Sequence, residues 1–493
     1  MSAKEKETFP LEVLDDPKPG MGRNFCDDQR PFAFIGIYLC SSVVSVNTWV
    51  LALGLGLLLG TAFPSTAGER LRIIIETDAG GDPDDEQSLV RFLLYANEWD
   101  VEGIIANRPQ AREGENRNRE RTGLGIVRAM IDAYGACYPR LVQHDPQFPK
   151  PEALRSRSVP GYEDTDDGVE LIVRAVDAAD ARPVWFSNWG TDHGSASSSL
   201  KRALDRVLRE RGPAGYARFK RRIYLSSSDE FGEHTGTLDP PFPLWVDTWR
   251  PEMNRKRWYH QFSAITAGAG GFDIERDVRS GHGPLGALYP TNTTHWLKEG
   301  DTLSFLYLVP NGLNNPFEPG WGGWGGRLGK NEEFSDKPYY WANEIDRWQG
   351  TINRENTLAR WAEAIQNDFR ARMDWCVAER PNANHPPIPG VRGALQRTVR
   401  AGQLVELDAT PSVDPDGHSL RFNWLPYFEV TGYGGPAIEL QNSDQARSSL
   451  EAPRLDRAGS VHLILSVTDG GEPRLTRYQR VILEIEPALD KGK

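Results

Sequence analysis

Residues 76–86 place six carboxylates in eleven positions: Glu76, Asp78, Asp82, Asp84, Asp85 and Glu86. Such crowding is costly unless a cation gathers the oxygens or water solvates each one separately. An apolar run, Ile73-Ile74-Ile75, leads into the acids and an amphipathic segment follows them, so the cluster falls where a strand passes into a helix. Hard oxygen ligands in a short loop suit Ca²⁺, which takes about six to eight of them. Asp78, Asp84 and Asp85 together meet that need, and a helix N-terminus favours the negative charge. The alternative is that Asp82 or Asp84 caps the helix while the remaining acids are solvated. EF-hand spacing is absent, since neither the loop Gly nor the Glu at its twelfth position is in place.

Other groups capable of chemistry are scattered. His193, His282 and His295 lie in loop-like segments, each either a proton donor or an ordinary hydrogen-bonding residue. His282 sits between glycines that would let a ligand approach. Trp321 and Trp324, in GWGGWGG, suit either stacking on a sugar or anchoring the loop. Asn107 and Asn188 could contact sugar hydroxyls or support turns. Ser226-Ser227-Ser228-Asp229 has no G-x-S-x-G context, and GAGG at 268–271 lacks the neighbours of a phosphate loop. Catalytic thiol chemistry has no motif.

The elements that must position these groups follow a pattern. Short apolar strands alternate with longer helical segments: LRIIIE and a helix from Asp84, VEGIIA and one from about Arg117, RPVWFSNW and one from Ser195, then RRIYLSS. This alternation predicts an α/β domain with a mainly parallel sheet covered by helices on both faces, whose ligands bind at the carboxyl ends of the strands. The acidic stretch, Asn107, Asn188–His193 and Ser226–Glu230 all fall there. Residues 232–330 are rich in Gly, Pro and aromatics, with TLSFLYLVP (302–310) as one further strand. A helical segment from about Glu355 to Val377 closes the domain at 378. RPNANHPPIPG marks a linker at 379–393, and alternating strands from 394 to 493 predict a β-sandwich, in which Asp414-Pro415-Asp416-Gly417 is a turn.

Among the 493 residues, a net charge of −12 argues against a nucleic-acid partner and leaves neutral substrates or cations. Residues 47–67 form an apolar run of signal-peptide length ending in Ser65-Thr66-Ala67, so residues 1–67 read as an N-terminal extension and export signal cleaved after Ala67. An uncleaved membrane anchor is the alternative, since residues 33–62 carry no charge. The destination is then secreted or periplasmic. Cys137 and Cys376 would be the cysteines left after cleavage, free or joined in a disulfide.

Glu76-Thr77-Asp78-Ala79-Gly80-Gly81-Asp82-Pro83-Asp84-Asp85 resembles the aspartate loop of the nucleoside hydrolase superfamily, which binds Ca²⁺. GGDPDDEQSLVRFLLYANEWDVEGIIA, EGDTLSFLYLVPNGL and WGGWGGR resemble more closely a secreted bacterial branch of cellulose-binding, nucleoside-hydrolase-like proteins, and the C-terminal part looks cadherin-like. The resemblance covers about residues 70–487. It implies a nucleoside-hydrolase-like, Rossmann-like fold with Asp78 and Asp85 as calcium ligands and Asp84 as ligand or substrate contact. It implies further the Trp189 carbonyl and Asp301 in the same coordination sphere, and Asp78 as the base for an attacking water. Two departures stand out: the first acid is Glu76 rather than Asp, in a loop about two residues longer than the family's. Gly300 also stands where a His often precedes the late Asp. The expected activity is hydrolysis of a glycosidic or N-glycosidic bond in a sugar-containing small molecule or polysaccharide. The rival expectation is a non-catalytic, extracellular carbohydrate-binding protein on the same scaffold.

Overall fold

In the computed structural model, the described residues are 69–81, 83–109, 122–190, 198–227, 242–248, 259–291, 298–330, 337–342, 344–432, 435 and 437–487. The expected export segment, Asp82, His193 and His295 lie outside them.

Strand β1 (Leu71–Thr77) is almost wholly buried because it has no solvent face. Ile73 and Ile75 enter one apolar cluster with helix α1 (Pro83–Leu94), while Ile74 enters another on the opposite face of the sheet. Continuous β-branched residues, rather than alternation, are what such a two-sided environment selects. The chain continues through β2 (Trp99–Ala106), α2 (Gly123–His144), α3 (Pro151–Ser156), β3 (Ser158–Pro160), α4 (Asp167–Asp177), β4 (Val184–Asn188), α5 (Ser199–Lys220), β5 (Ile223–Ser227), β6 (Trp245–Asp247) and α6 (Tyr259–Thr266). With β7 (Tyr340–Trp341) they make a sheet in the order β3-β2-β1-β4-β5-β6-β7, parallel throughout. The strand order reverses direction between β1 and β4. In open α/β sheets a crevice forms outside the strand ends at that point.

Two expectations need correction. TLSFLYLVP is not a strand. After the short helix α7 (Gly283–Ala287) the chain forms helix α8 (Thr302–Leu306), whose Leu303, Phe305 and Leu306 are fully buried. A short apolar run fits a buried helix or a buried strand equally well, and here Thr302 N–H and Ser304 N–H donate to the carbonyls of Glu299 and Asp301 to close helical turns. The expected closing helix is two: after a small hairpin, β8 (Asp346–Trp348) and β9 (Thr351–Asn353), come α9 (Asn356–Ala359) and α10 (Ala362–Asp374).

Strands β10 (Gln396–Arg400), β15 (Thr476–Glu486), β14 (Gly459–Thr468) and β12 (Arg421–Pro426) form one C-terminal sheet, and β11 (Leu404–Asp408) with β13 (Arg447–Glu451) forms the facing pair. Their shared core includes Leu407, Trp424, Leu450, Leu463 and Leu483, as a β-sandwich requires. The sandwich and the α/β part belong to one compact unit. Arg480 donates to the carbonyls of Leu313 and Trp321 at 3.1 and 3.0 Å, Tyr427 donates to Asp346 at 2.7 Å, and Arg477 pairs with Asp368 of α10 at 2.6 Å.

Candidate metal centre

Asp78 leaves the end of β1 in a tight turn. Gly81 N–H donates to the Asp78 carbonyl at 2.9 Å, and Gly80, at φ +93°, occupies the left-handed position that the turn needs. Ala79 N–H donates to Thr77 Oγ1 at 3.1 Å, and Thr77 Oγ1 in turn donates to Asp85. The turn thus brings the first residues of α1 back over the strand end. Asp84 and Asp85 stand in the first helical turn, where the exposed N–H groups favour negative charge.

Asp301, immediately before α8, arrives from more than two hundred residues away. Carboxylate oxygens of Asp84, Asp85 and Asp301 lie within 4.8 Å of one another, and all three residues are buried. The cluster is therefore real, and solvation of separate acids is excluded for these three. Burial pushes the Asp85 carboxyl well above the ordinary aspartate range, and the charges of Asp301, Asp78 and Asp84 push it further.

What holds Asp301 in place is a buried lattice on α1. Arg91, fully buried, makes a two-pronged ion pair with Glu299 at 2.5 and 3.1 Å, and Gln87 accepts the N–H groups of Lys298 and Glu299 at 2.8 and 3.1 Å. Tyr289 and Thr302 also donate to Glu299, at 2.7 and 2.9 Å. Glu299 itself sits at φ +45°, a strained conformation for a residue with a Cβ, kept because these bonds over-determine it. From the other side, Ser187 of β4 donates to Ser304 of α8 at 2.8 Å, and Ser226 of β5 donates to the Ser304 carbonyl. One helix thereby presents Asp84 and Asp85 and also positions the segment that supplies Asp301.

Glu76 pairs in register with Asn188, so the two strand ends flanking the crevice lie side by side. Trp189 follows, its N–H donating to the Glu76 carbonyl at 2.8 Å and its indole packed edge-on against Phe92. A Cβ on Gly190 would come within 2.9 Å of Asp78 Oδ1, which places the Trp189–Gly190 peptide beside that carboxylate. Asn107 donates to the Gly190 carbonyl at 2.5 Å, fixing this turn rather than pointing at a sugar, and Asn188 is fully buried. Arg108, which has no counterpart in the expected site, lies 3.5 Å from Asp78 Oδ2. A basic residue one position after a loop Asn carries no sequence pattern that would reveal it.

Glu76 points away from this cluster, to the face covered by α5. Ser199 N–H, in the first turn of α5, donates to its Oε1 at 2.9 Å. Complete burial lifts its carboxyl to about 7, against the lowering effect of Ser199, Arg202 and Asn107. The longer Glu side chain, in place of Asp, reaches a helix N-terminus on the far side of the sheet.

Two further expectations fail. Gly283, next to His282, packs against Cys137, with 3.4 Å from its would-be Cβ to Sγ. Cys137 lies fourteen residues into α2, whose first residue abuts the Ala79 and Arg108 carbonyls. At about 1.5 Å per residue that is roughly 20 Å from the cluster. His282 bonds Asp374 at 3.1 Å and cannot serve as the acid there. Trp324 is fully buried with Arg477 over its ring, and Trp321 packs edge-on against His462 at 5.0 Å with Arg480 beside it. A sugar platform needs an open face, so Trp324 offers none, and both indoles serve the joint with the sandwich. Cys137 and Cys376 are free, buried thiols hydrogen-bonded to each other.

Two hard carboxylates from a helix start, a third from a distant segment and a strand-end Asp beside a backbone peptide make an oxygen donor set that fits a divalent cation.

Comparison with known proteins follows this geometry. Residues 72–328 match the family described as cellulose-binding Sde182, nucleoside hydrolase-like domain, and residues 404–485 match the cellulose-binding protein Sde0182, C-terminal domain. A solved structure from Saccharophagus degradans, described as a nucleoside hydrolase-related hypothetical protein associated with carbohydrate metabolism, is 30% identical. The similarity covers 85% of this chain and 100% of that one, with a TM-score of 0.65. The solution structure of the PKD domain from the KIAA 1837 protein, 15% identical over 21% of this chain with a TM-score of 0.16, is too distant to inform the fold. No curated protein matches the chain.

Proposed function

We propose that this chain, which belongs to the cellulose-binding Sde182 family through its nucleoside hydrolase-like domain, is an exported, calcium-dependent hydrolase of glycosidic or N-glycosidic bonds, furanosides foremost. The observation that carries this reading is the convergence of Asp84, Asp85 and Asp301 within 4.8 Å at the strand-order reversal, with Asp78 on the adjoining strand end.

Asp78, Asp84, Asp85 and Asp301 would hold the ion, with the Trp189 carbonyl completing the set. A bound Ca²⁺ supplies orientation of sugar hydroxyls and increased acidity of a water. Asp78 is the proton acceptor in this proposal. It is less buried than the other three acids, and Arg108 at 3.5 Å keeps its carboxylate oriented. Cleavage of a glycosidic bond passes through a cationic sugar, and the surrounding carboxylates stabilise that charge. His282 is engaged with Asp374, so in this proposal the departing group takes its proton from solvent or from His193, which lies outside the described residues.

A second reading has a specific observation behind it. Gly300, not a His, precedes Asp301, and the family is named for cellulose binding. A scaffold that keeps the ion while losing catalysis would be an extracellular carbohydrate-binding protein. Incubation of purified protein and Ca²⁺ with nucleosides, aryl furanosides and plant polysaccharides separates the two. Sugar release abolished by a chelator and by Asp78→Ala, with the fold retained, supports the hydrolase. Retention on cellulose with no release under any condition supports the binder.

A further inference from the structure

We infer that the β-sandwich carries a second divalent-cation site, built by Asp414, Asp416 and His418 against the segment that joins it to α10. The inference is independent of what the first cluster does.

Asp414 Oδ1 accepts the N–H groups of Asp416 and His418 at 3.0 and 2.8 Å, which makes the segment a tight turn. That alone would be structural. Asp414, however, has a side chain only 1% exposed, and its Oδ2 has no hydrogen-bond partner. An orphaned, buried carboxylate oxygen is costly to desolvate unless a donor or a cation faces it, and no protein donor among the described residues does. One carboxylate oxygen from each of Asp414 and Asp416 and a ring nitrogen of His418 lie within 4.8 Å of one another.

A second unmet oxygen lies in the same neighbourhood. Asp469, at the end of β14 and fully buried, accepts from Gly471 N–H at 2.9 Å and from Asn384 Nδ2 at 3.1 Å. Asn384 also donates to the Pro473 carbonyl at 2.7 Å, which sets the orientation of its amide and leaves its buried Oδ1 without a partner. Burial raises the Asp469 carboxyl, and the negative charge of Asp414 contributes. His385, next in the chain, donates its N–H to Asp416 Oδ2 at 2.7 Å. Its Nδ1 lies 2.9 Å from Asp416 Oδ1, and its Nε2 lies 2.9 Å from His144 Nδ1. A carboxylate backed by an imidazole relay is how metal ligands are commonly oriented.

The charge balance decides between turn and site. Among the described residues, Asp414, Asp416 and Asp469 form no ion pair with any Lys or Arg; the partners are His418 at 3.5 Å and His385 at 2.9 Å. Two carboxylates held within 4.8 Å of each other, with the buried Asp469 close enough to feel the charge of Asp414 and no Lys or Arg paired with any of the three among the described residues, call for an external cation. A donor set of oxygens with one imidazole suits a first-row divalent ion, Mn²⁺ or Zn²⁺, better than Ca²⁺. Such an ion would tie the turn of the sandwich to residues 384–385 and stiffen the joint.

The test is metal stoichiometry of the full chain, measured by calorimetric titration with Mn²⁺, Zn²⁺ and Ca²⁺ separately and by metal analysis after gel filtration. Wild-type protein is expected to bind one equivalent of Mn²⁺ or Zn²⁺ that Asp85→Asn, in the first cluster, leaves in place. Asp414→Asn retains the acceptor for the two backbone N–H groups, so it should fold and yet lose that equivalent. His418→Ala, at a half-exposed position, should weaken it about tenfold or more. Unchanged stoichiometry and affinity in both sandwich variants, with circular dichroism showing native protein, overturns the inference. So does wild-type binding that disappears entirely with Asp85→Asn.

Discussion

Replacing Asp301 by Asn should stabilise the cation-free protein, and that advantage should shrink when the cation is present. At 4.8 Å, two carboxylates repel by roughly 3.5 kcal/mol at an effective dielectric constant of about 20. Asp301 takes part in two such pairs, so the strain it adds in cation-free protein is on the order of 7 kcal/mol before any relief by protonation. Part of this is relieved by a proton held on Asp85, whose carboxyl lies well above its ordinary range through burial and through Asp301, Asp78 and Asp84. Relief by the substitution is therefore expected at roughly 1–3 kcal/mol in excess chelator, making the variant the more stable protein. With Ca²⁺ the balance shifts. A ligand at about 100 times its dissociation constant stabilises by about 2.7 kcal/mol, and a variant that binds about tenfold more weakly gains only about 1.4 kcal/mol at the same concentration. Urea unfolding of both proteins, in chelator and in Ca²⁺, reads this difference directly. If the variant is the less stable in chelator and Ca²⁺ shifts both proteins equally, Asp301 is an ordinary hydrogen-bonded aspartate and the reasoning fails.

Three further outcomes are expected. Arg91→Met strands Glu299 in the core without its partner, and should cost about 3–5 kcal/mol in urea unfolding while weakening Ca²⁺ uptake, because the segment carrying Asp301 loses its anchor. His462 is held at about 4 by burial and by Arg480, against 6.5 unfolded. It therefore contributes stability that is present above the unfolded value and lost as pH falls toward the folded one. The loss should be about 2 kcal/mol between pH of about 7 and about 5, and His462→Gln should flatten that slope in parallel urea titrations. Trp324→Ala should lower stability by about 3–5 kcal/mol through a cavity, with retention on cellulose unchanged in a column assay; loss of retention with stability intact would restore the indole as a sugar contact.

Much of the site was legible in one dimension because local periodicity encodes it. A run of isoleucines followed by acids and an amphipathic segment reads as a buried strand passing into a helix, and repeats of that unit point to the parallel α/β architecture. Asp78, Asp84 and Asp85 could be read together since a single turn joins them. Asp301 was accessible only through family resemblance. Its helix looked like a strand, because a few buried apolar residues carry no period of their own.

Tertiary structure alone decided the rest. The pairing of Arg91 with Glu299 and of Arg108 with Asp78, the removal of His282 to the far end of α2, the burial of Trp324 and the packing of half-buried Trp321 against His462 and Arg480 all depend on contacts between distant segments. A side chain's type limits what chemistry it can perform, and that much is written in the sequence. Whether it faces a crevice, a partner charge or another wall of the core depends on packing, which nearest neighbours along the chain do not specify.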